Sequence, residues 1–142
     1  MKEILSLVLP ARLDNLRTFV EAAKEAAVTT GLPPDKIFKL EVALEEALVN
    51  IMYYAYEDGA GEIQVVCRTG DNGLFVIEIT DRGHPFDISV VSSPDLVSKV
   101  DERRIGGLGI HLMKNLMDKV SYRREREKNI LVLAISLASP DP

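Results

Sequence analysis

Three short groups of residues in this chain combine side chains that could do chemistry. Glu46 and Asn50 stand at i and i+4 in a segment with helical periodicity. A carboxylate and an amide one turn apart can divide a task. The carboxylate can accept a proton from a nucleophile. The amide oxygen can ligate Mg²⁺, a hard ion that completes its shell with waters and substrate phosphates. At about 100° per residue both project opposite the Leu44/Leu48/Ile51 stripe, with Tyr53 and Glu57 on their side. Spacing alone favours a solvated polar face there. Asp81-Arg82-Gly83-His84-Pro85 follows directly on a strand-like run. A carboxylate at a strand end can accept a hydrogen bond, and a glycine two residues on lets backbone approach a flat ligand. An ordinary turn is the competing reading, since Asp, Gly and Pro all favour one. Gly106-Gly107-Leu108-Gly109 precedes a helix-like run and follows Arg103-Arg104. Glycines at a helix start expose N–H groups to phosphates, and arginines add contacts. A flexible hinge is the alternative. The run is not a P-loop, because no Lys-Ser/Thr follows, and it lacks the flanking features of a Rossmann site.

Other reactive side chains stand apart. His84 and His111 are the only histidines, without the spaced partners that a zinc or Ser-His-Asp site needs. Cys67 alternates with Val65 and Ile63 and reads as buried filler. The run RREREK (123–128) reads as a solvated hairpin.

The elements that position these groups follow from period and punctuation. Residues 3–9 predict a strand stopped at Pro10. Leu13, Leu16, Val20, Ala23 and Ala27 predict a helix over 13–30, with Asp14 near its start and Gly31 at its end. Pro33-Pro34 open a second helix, striped by Ile37, Leu40, Leu44, Leu48, Ile51 and Ala55 and ended by 58–61. Strands at 62–69 and 73–80 are joined by Gly70-Asp71-Asn72-Gly73. Residues 81–106 read as a long functional loop, 107–117 as a short helix, and 119–126 and 129–137 as two strands with Lys128-Asn129 at the turn. The tail ASPDP frays. The class is α+β, with helices on one face of a mainly antiparallel sheet.

Bulk properties narrow the function. The chain has 142 residues, enough for one domain over 1–142. Its net charge of −5 argues against broad nucleic-acid binding. A single cysteine excludes an intrachain disulfide. The opening MKEILSLVLP is too short and punctuated for a signal peptide, and no apolar run could span a membrane. The expected location is the cytoplasm.

The three groups, in this order, resemble the GHKL ATPases, the superfamily of gyrase, histidine kinases and MutL. Within it, EEALVN…AY, DRGHPFD and GGLGIHLMKNLMD are similar to the anti-sigma-factor serine kinases of the RsbW type, over nearly the whole chain. The resemblance implies a two-layer α/β sandwich of the Bergerat type, holding ATP between helices and a lid at about 87–106. It implies Glu46 as general base and Asn50 as Mg²⁺ ligand. Asp81 would accept the adenine amino hydrogen bond and Gly83 would permit close approach. Arg104, Gly106, Gly107, Leu108 and Gly109 would lie by the phosphates. The family transfers the ATP γ-phosphoryl group to a serine of a small STAS-type anti-anti-sigma protein and binds a sigma factor, often as a dimer. Three positions depart from its pattern. Tyr54 stands where histidine is common, Ile88 where proline is, and His84 where a small residue or proline is. Tyr54 favours an alternative, a nucleotide-gated regulator that binds a partner without transferring phosphate.

Overall fold

The structure is a computed structural model that describes residues 2–54, 61–70, 72–85 and 113–138. Strand β1 (Lys2–Pro10) leads through a 3-10 turn (Leu13–Asn15) into helix α1 (Leu16–Thr30). Helix α2 (Pro34–Tyr54) follows, then strands β2 (Glu62–Thr69), β3 (Leu74–Asp81), β4 (Lys119–Glu125) and β5 (Lys128–Ser136). The five strands form one sheet in the order β1-β2-β3-β5-β4, every neighbouring pair antiparallel. This is the expected α+β class.

Helix ends follow local chemistry. Gly31 closes α1 in the left-handed region at φ 88°. Its amide donates to Val28 O and the Leu32 amide to Ala27 O, satisfying carbonyls that the helix leaves open. Pro34 opens α2, where a missing N–H costs nothing. Lys36, one turn in, donates from Nζ to Ser136 O at 2.9 Å and also to Ala138 O, fastening α2 to the end of β5.

Alternation on the strands decides the two faces of the sheet. Ile63, Val65 and Cys67 on β2, Phe75, Ile77 and Ile79 on β3, and Leu131, Leu133 and Ile135 on β5 are buried and share one core cluster with Phe19, Val20 and Ala23 of α1 and Leu40, Leu44 and Leu48 of α2. The helices therefore cover this inner face. On the outer sides of α1 and α2, Arg17 joins Glu21, Glu41 and Glu45, and Lys24 joins Glu21 and Glu41. Such exposed pairs register the two helices and add little stability. Cys67 is buried as expected, and burial pushes its thiol up to about 12, so it is inert. Among the described residues no helix is long and apolar enough to cross a membrane.

Candidate functional site

Cross-strand rows on the inner face show where the core stops and a polar site begins. One row runs Leu5–Cys67–Ile77–Leu133–Val120, and the next Leu7–Val65–Ile79–Leu131–Tyr122. Both are apolar up to the Tyr122 hydroxyl. The third row runs Leu9–Ile63–Asp81–Asn129–Arg124, so the same inward parity now delivers a carboxylate, an amide and a guanidinium. Asp81 is 3% exposed and Asn129 is 4% exposed.

These polar groups satisfy one another. Asp81 Oδ1 accepts from the Gly83 amide and from Asn129 Nδ2, each at 2.8 Å. Asn129 Nδ2 also donates to His84 O at 2.9 Å and Gly83 O at 3.3 Å. Arg124 Nη1 donates to Gly83 O at 2.8 Å and to Asn129 Oδ1 at 3.1 Å. Tyr122 donates its hydroxyl to Asn129 Oδ1. Burial pushes the Asp81 carboxyl above its ordinary range, and the Asn129 and Gly83 bonds and the Arg124 charge pull it back. Asp81-Arg82-Gly83 is thus both a turn and a buried acceptor. Asp81 Oδ2 takes part in none of these bonds. The Gly83 amide and carbonyl are both engaged within the protein.

Two expectations change here. Asn129 lies within β5, not at a turn; the turn is Arg126-Glu127, where both residues have positive φ, 50° and 65°. RREREK is exposed from Arg123 to Glu127, as a solvated hairpin is, but it is not only that, because Arg124 Nη1 also reaches Gly83 O. Asn129 and Arg124 escaped the reading because Asn beside Lys is turn chemistry and charge runs face water. Counting strand parity back from Leu131, Leu133 and Ile135 would have put Asn129 on the inner face.

The second polar group sits on α2. Asn50 is 1% exposed, so the solvated face expected from spacing does not include it, although Tyr53 on that side is exposed. Burial extends around α2 through Ala43, Ala47, Ile51 and Met52, taking Asn50 with it. Asn50 Nδ2 donates to Glu46 O at 2.7 Å, which fixes the amide. Asn50 Oδ1 is buried with no hydrogen-bond partner among the described residues. Burying such an acceptor costs about 1–3 kcal/mol, and a cation would relieve that cost. Glu46 is half-buried. Burial raises its carboxyl above the ordinary range, and the negative charge of Glu45 raises it further. A base whose pKa moves toward neutrality is better matched to proton abstraction.

Both groups rest on the one core cluster, which joins Ala47, Leu48 and Ile51 of α2 to Ile63 and Ile79 of the strands. Arg104, Gly106, Gly107, Leu108 and Gly109, the 87–106 segment, Ile88, His111 and Glu57 lie outside the described residues, as does the side chain of Tyr54. Of the short helix expected over 107–117, residues 113–116 are described and helical, and the Met117 amide donates to Met113 O at 3.1 Å.

The residues present suit a magnesium nucleotide. Asn50 Oδ1 offers one hard oxygen. Among the described residues no group of three or more His, Cys, Asp and Glu is placed to hold a metal by itself. An ion there would take its remaining oxygens from water and phosphates, as Mg²⁺ does. The buried Asp81 acceptor suits an amino-bearing base. A separate open depression of about 510 Å³ lies at the other end of β2, lined by Lys2, Thr29, Thr30 and Thr69 among others. The Thr29 and Thr30 hydroxyls there are engaged by Glu25 O and Ala27 O.

Comparison with known proteins bears on the family and the fold. A family model described as a histidine kinase-like ATPase domain matches residues 9–135. The serine-protein kinase RsbW of Bacillus cereus strain AH187 is 27% identical over 134 residues, covering 92% of this chain and 83% of that one. RsbW of Bacillus thuringiensis strain Al Hakam is 26% identical over the same shares. Among solved structures, the RsbU and RsbW domains of a Mycobacterium tuberculosis protein superpose with a TM-score of 0.66 at 18% identity. That likeness covers 96% of this chain but 33% of the larger one. The SiaB-SiaC complex from Pseudomonas aeruginosa gives a TM-score of 0.61 at 13% identity, covering 94% of this chain and 90% of that chain. At those identities the two structures speak to the fold.

Proposed function

The chain belongs to the histidine kinase-like ATPase domain family, and from that premise we propose that it is a serine protein kinase and anti-sigma factor working as one domain over residues 1–142 in the cytoplasm. It transfers the ATP γ-phosphoryl group to a serine of a STAS-type anti-anti-sigma protein, and it holds a sigma factor, as a dimer, while that antagonist is phosphorylated. The observation that carries the reading is the pairing of an orphaned, buried Asn50 Oδ1 with a half-buried, pKa-raised Glu46 one turn away. The likeness to RsbW over 92% of the chain supports the substrate class.

Phosphoryl transfer needs positioning, charge stabilisation and one proton acceptor. Asp81 accepts the hydrogen bond of the adenine amino group, with the Gly83 turn held beneath the base. Asn50 Oδ1 would hold Mg²⁺, which would supply neutralisation of the phosphate charge. Glu46 accepts the proton of the attacking serine hydroxyl. The family resemblance would put Arg104 and Gly106 to Gly109 by the phosphates.

The test incubates the protein with γ-labelled ATP, Mg²⁺ and the STAS-type protein encoded beside it. Label on an antagonist serine, lost in Glu46→Ala while nucleotide still binds, is expected. ATP binding without any label on the antagonist overturns kinase action and leaves a nucleotide-gated regulator, the reading that Tyr54 in place of histidine favours.

A further inference from the structure

We propose that Arg124 is a positioning residue for nucleobase selection, acting with Tyr122 through Asn129 so that Asp81 meets a bound base only as an acceptor. Purines carrying a 6-amino donor are then preferred over those carrying a 6-oxo group. This inference rests on the reading of Asp81 as the base-contacting residue.

The hydrogen-bond inventory makes the argument. Asn129 Nδ2 has two hydrogens but faces three acceptors: Asp81 Oδ1, His84 O and Gly83 O. Gly83 O is the most distant, at 3.3 Å. Arg124 Nη1 reaches the same carbonyl at 2.8 Å and supplies the missing donor. Its other hydrogen goes to Asn129 Oδ1, which also accepts from Tyr122. Both lone pairs of that oxygen are therefore filled, and the amide is held with its nitrogen toward Asp81. Without Arg124, Gly83 O is left short of a donor at a buried position, and Asn129 Nδ2 is drawn away from Asp81 to serve it.

Charge acts in the same direction. The row neighbours of Asp81 are Ile63 on one side and Asn129 on the other, with Arg124 beyond. Arg82 and His84 on its own loop are exposed, and Glu45 and Glu46 are the acids of the α2 stretch that carries Asn50. Arg124 is an exposed residue two strands from Asp81, but its guanidinium reaches back to Gly83 O and its charge opposes the burial that favours a protonated carboxyl. An ionised carboxylate accepts and cannot donate. A protonated one could donate to a 6-oxo group, and selectivity would be lost.

The experiment measures the affinities of the full chain for ATP and for ITP, its 6-oxo analogue, with Mg²⁺ present. Wild-type protein is expected to prefer ATP by about 100-fold or more. Arg124→Met is expected to cut that ratio about tenfold, mainly by weakening ATP, and Tyr122→Phe about threefold in the same direction. Thermal melts establish that each variant is folded. If Arg124→Met does not fold, Tyr122→Phe decides, and an unchanged ratio in it overturns the proposal. Folded variants with an unchanged ratio, or with ATP and ITP weakened equally, make the pair merely structural and also overturn it. A wild-type protein with no preference refutes the base-contacting role of Asp81 itself, which separates the two failures.

Discussion

Asn50→Ala escapes the stability loss that most buried truncations bring. Truncating a packed side chain to alanine commonly costs 2–5 kcal/mol. At Asn50 the change deletes an acceptor that is buried without a partner, relieving about 1–3 kcal/mol. Alanine in the middle of α2 adds roughly 0.5 kcal/mol of helix propensity. Against this stand the bond from Nδ2 to Glu46 O, about 1 kcal/mol, and a small cavity of about 1 kcal/mol. The balance lies between a loss of about 0.5 kcal/mol and a gain of about 1.5 kcal/mol. At about 3–4 °C per kcal/mol for a chain of this size, the ligand-free melting temperature falls by no more than ~2 °C or rises by up to ~5 °C. In wild-type protein, Mg-ATP at one hundred times its dissociation constant adds about 2.7 kcal/mol, or roughly 9 °C. In Asn50→Ala the Mg²⁺-dependent part of that shift disappears. Scanning calorimetry with and without Mg-ATP reads both numbers. A ligand-free loss above about 2 kcal/mol, or an undiminished Mg²⁺-dependent shift, would refute the reasoning, because Oδ1 would then have a role inside the protein and none toward the ion.

Three further outcomes are expected. As the proposed general base Glu46 has to be deprotonated, and burial followed by the Glu45 charge raises its pKa, so single-turnover transfer should rise with pH through a midpoint above the ordinary carboxylate value of about 4.3. Glu45→Gln should lower that midpoint; a pH profile unmoved by it contradicts the assignment. Asp81 has a folded-state pKa above its unfolded value, so ionising it costs stability as pH climbs past the unfolded value and through the folded one. Asp81→Asn keeps an oxygen for Gly83 and Asn129, so at neutral pH it should melt no lower than wild type while ATP affinity falls about 10- to 100-fold, measured by titration calorimetry. Arg126 and Glu127 both occupy positive φ in a two-residue turn that suits Asn-Gly. Replacing them with Asn-Gly should stabilise by about 1 kcal/mol in urea unfolding, and a loss of stability would show that these side chains hold the hairpin.

Periodicity made the scaffold legible. The 3.6-residue stripe of α1, the left-handed glycine at 31 and the alternation of β2, β3 and β5 each follow from local rules, and the structure has them within a residue or two. Glu46, Asn50 and Asp81 were legible as types at a spacing. Their burial was not, because a helical wheel cannot show that α2 is enclosed on more than its apolar stripe. The partners of Asp81 were hidden for a different reason. Asn129 and Arg124 are local in neither sequence nor motif, and reach Asp81 only through the β3–β5–β4 register. That register obeys parity, so an Asn and an Arg in phase with inward leucines are a readable signal of a polar row at the sheet's end.

The central claim is that a magnesium nucleotide spans the interval between Asn50 on α2 and Asp81 on β3. A crystal structure of the protein with Mg²⁺ and a non-hydrolysable ATP analogue tests it most directly. The adenine amino group is expected on the Asp81 carboxylate and the ion on Asn50 Oδ1, with the γ-phosphate on the Glu46 side. A nucleotide bound elsewhere, or an Asn50 oxygen turned away from the ion, would contradict it.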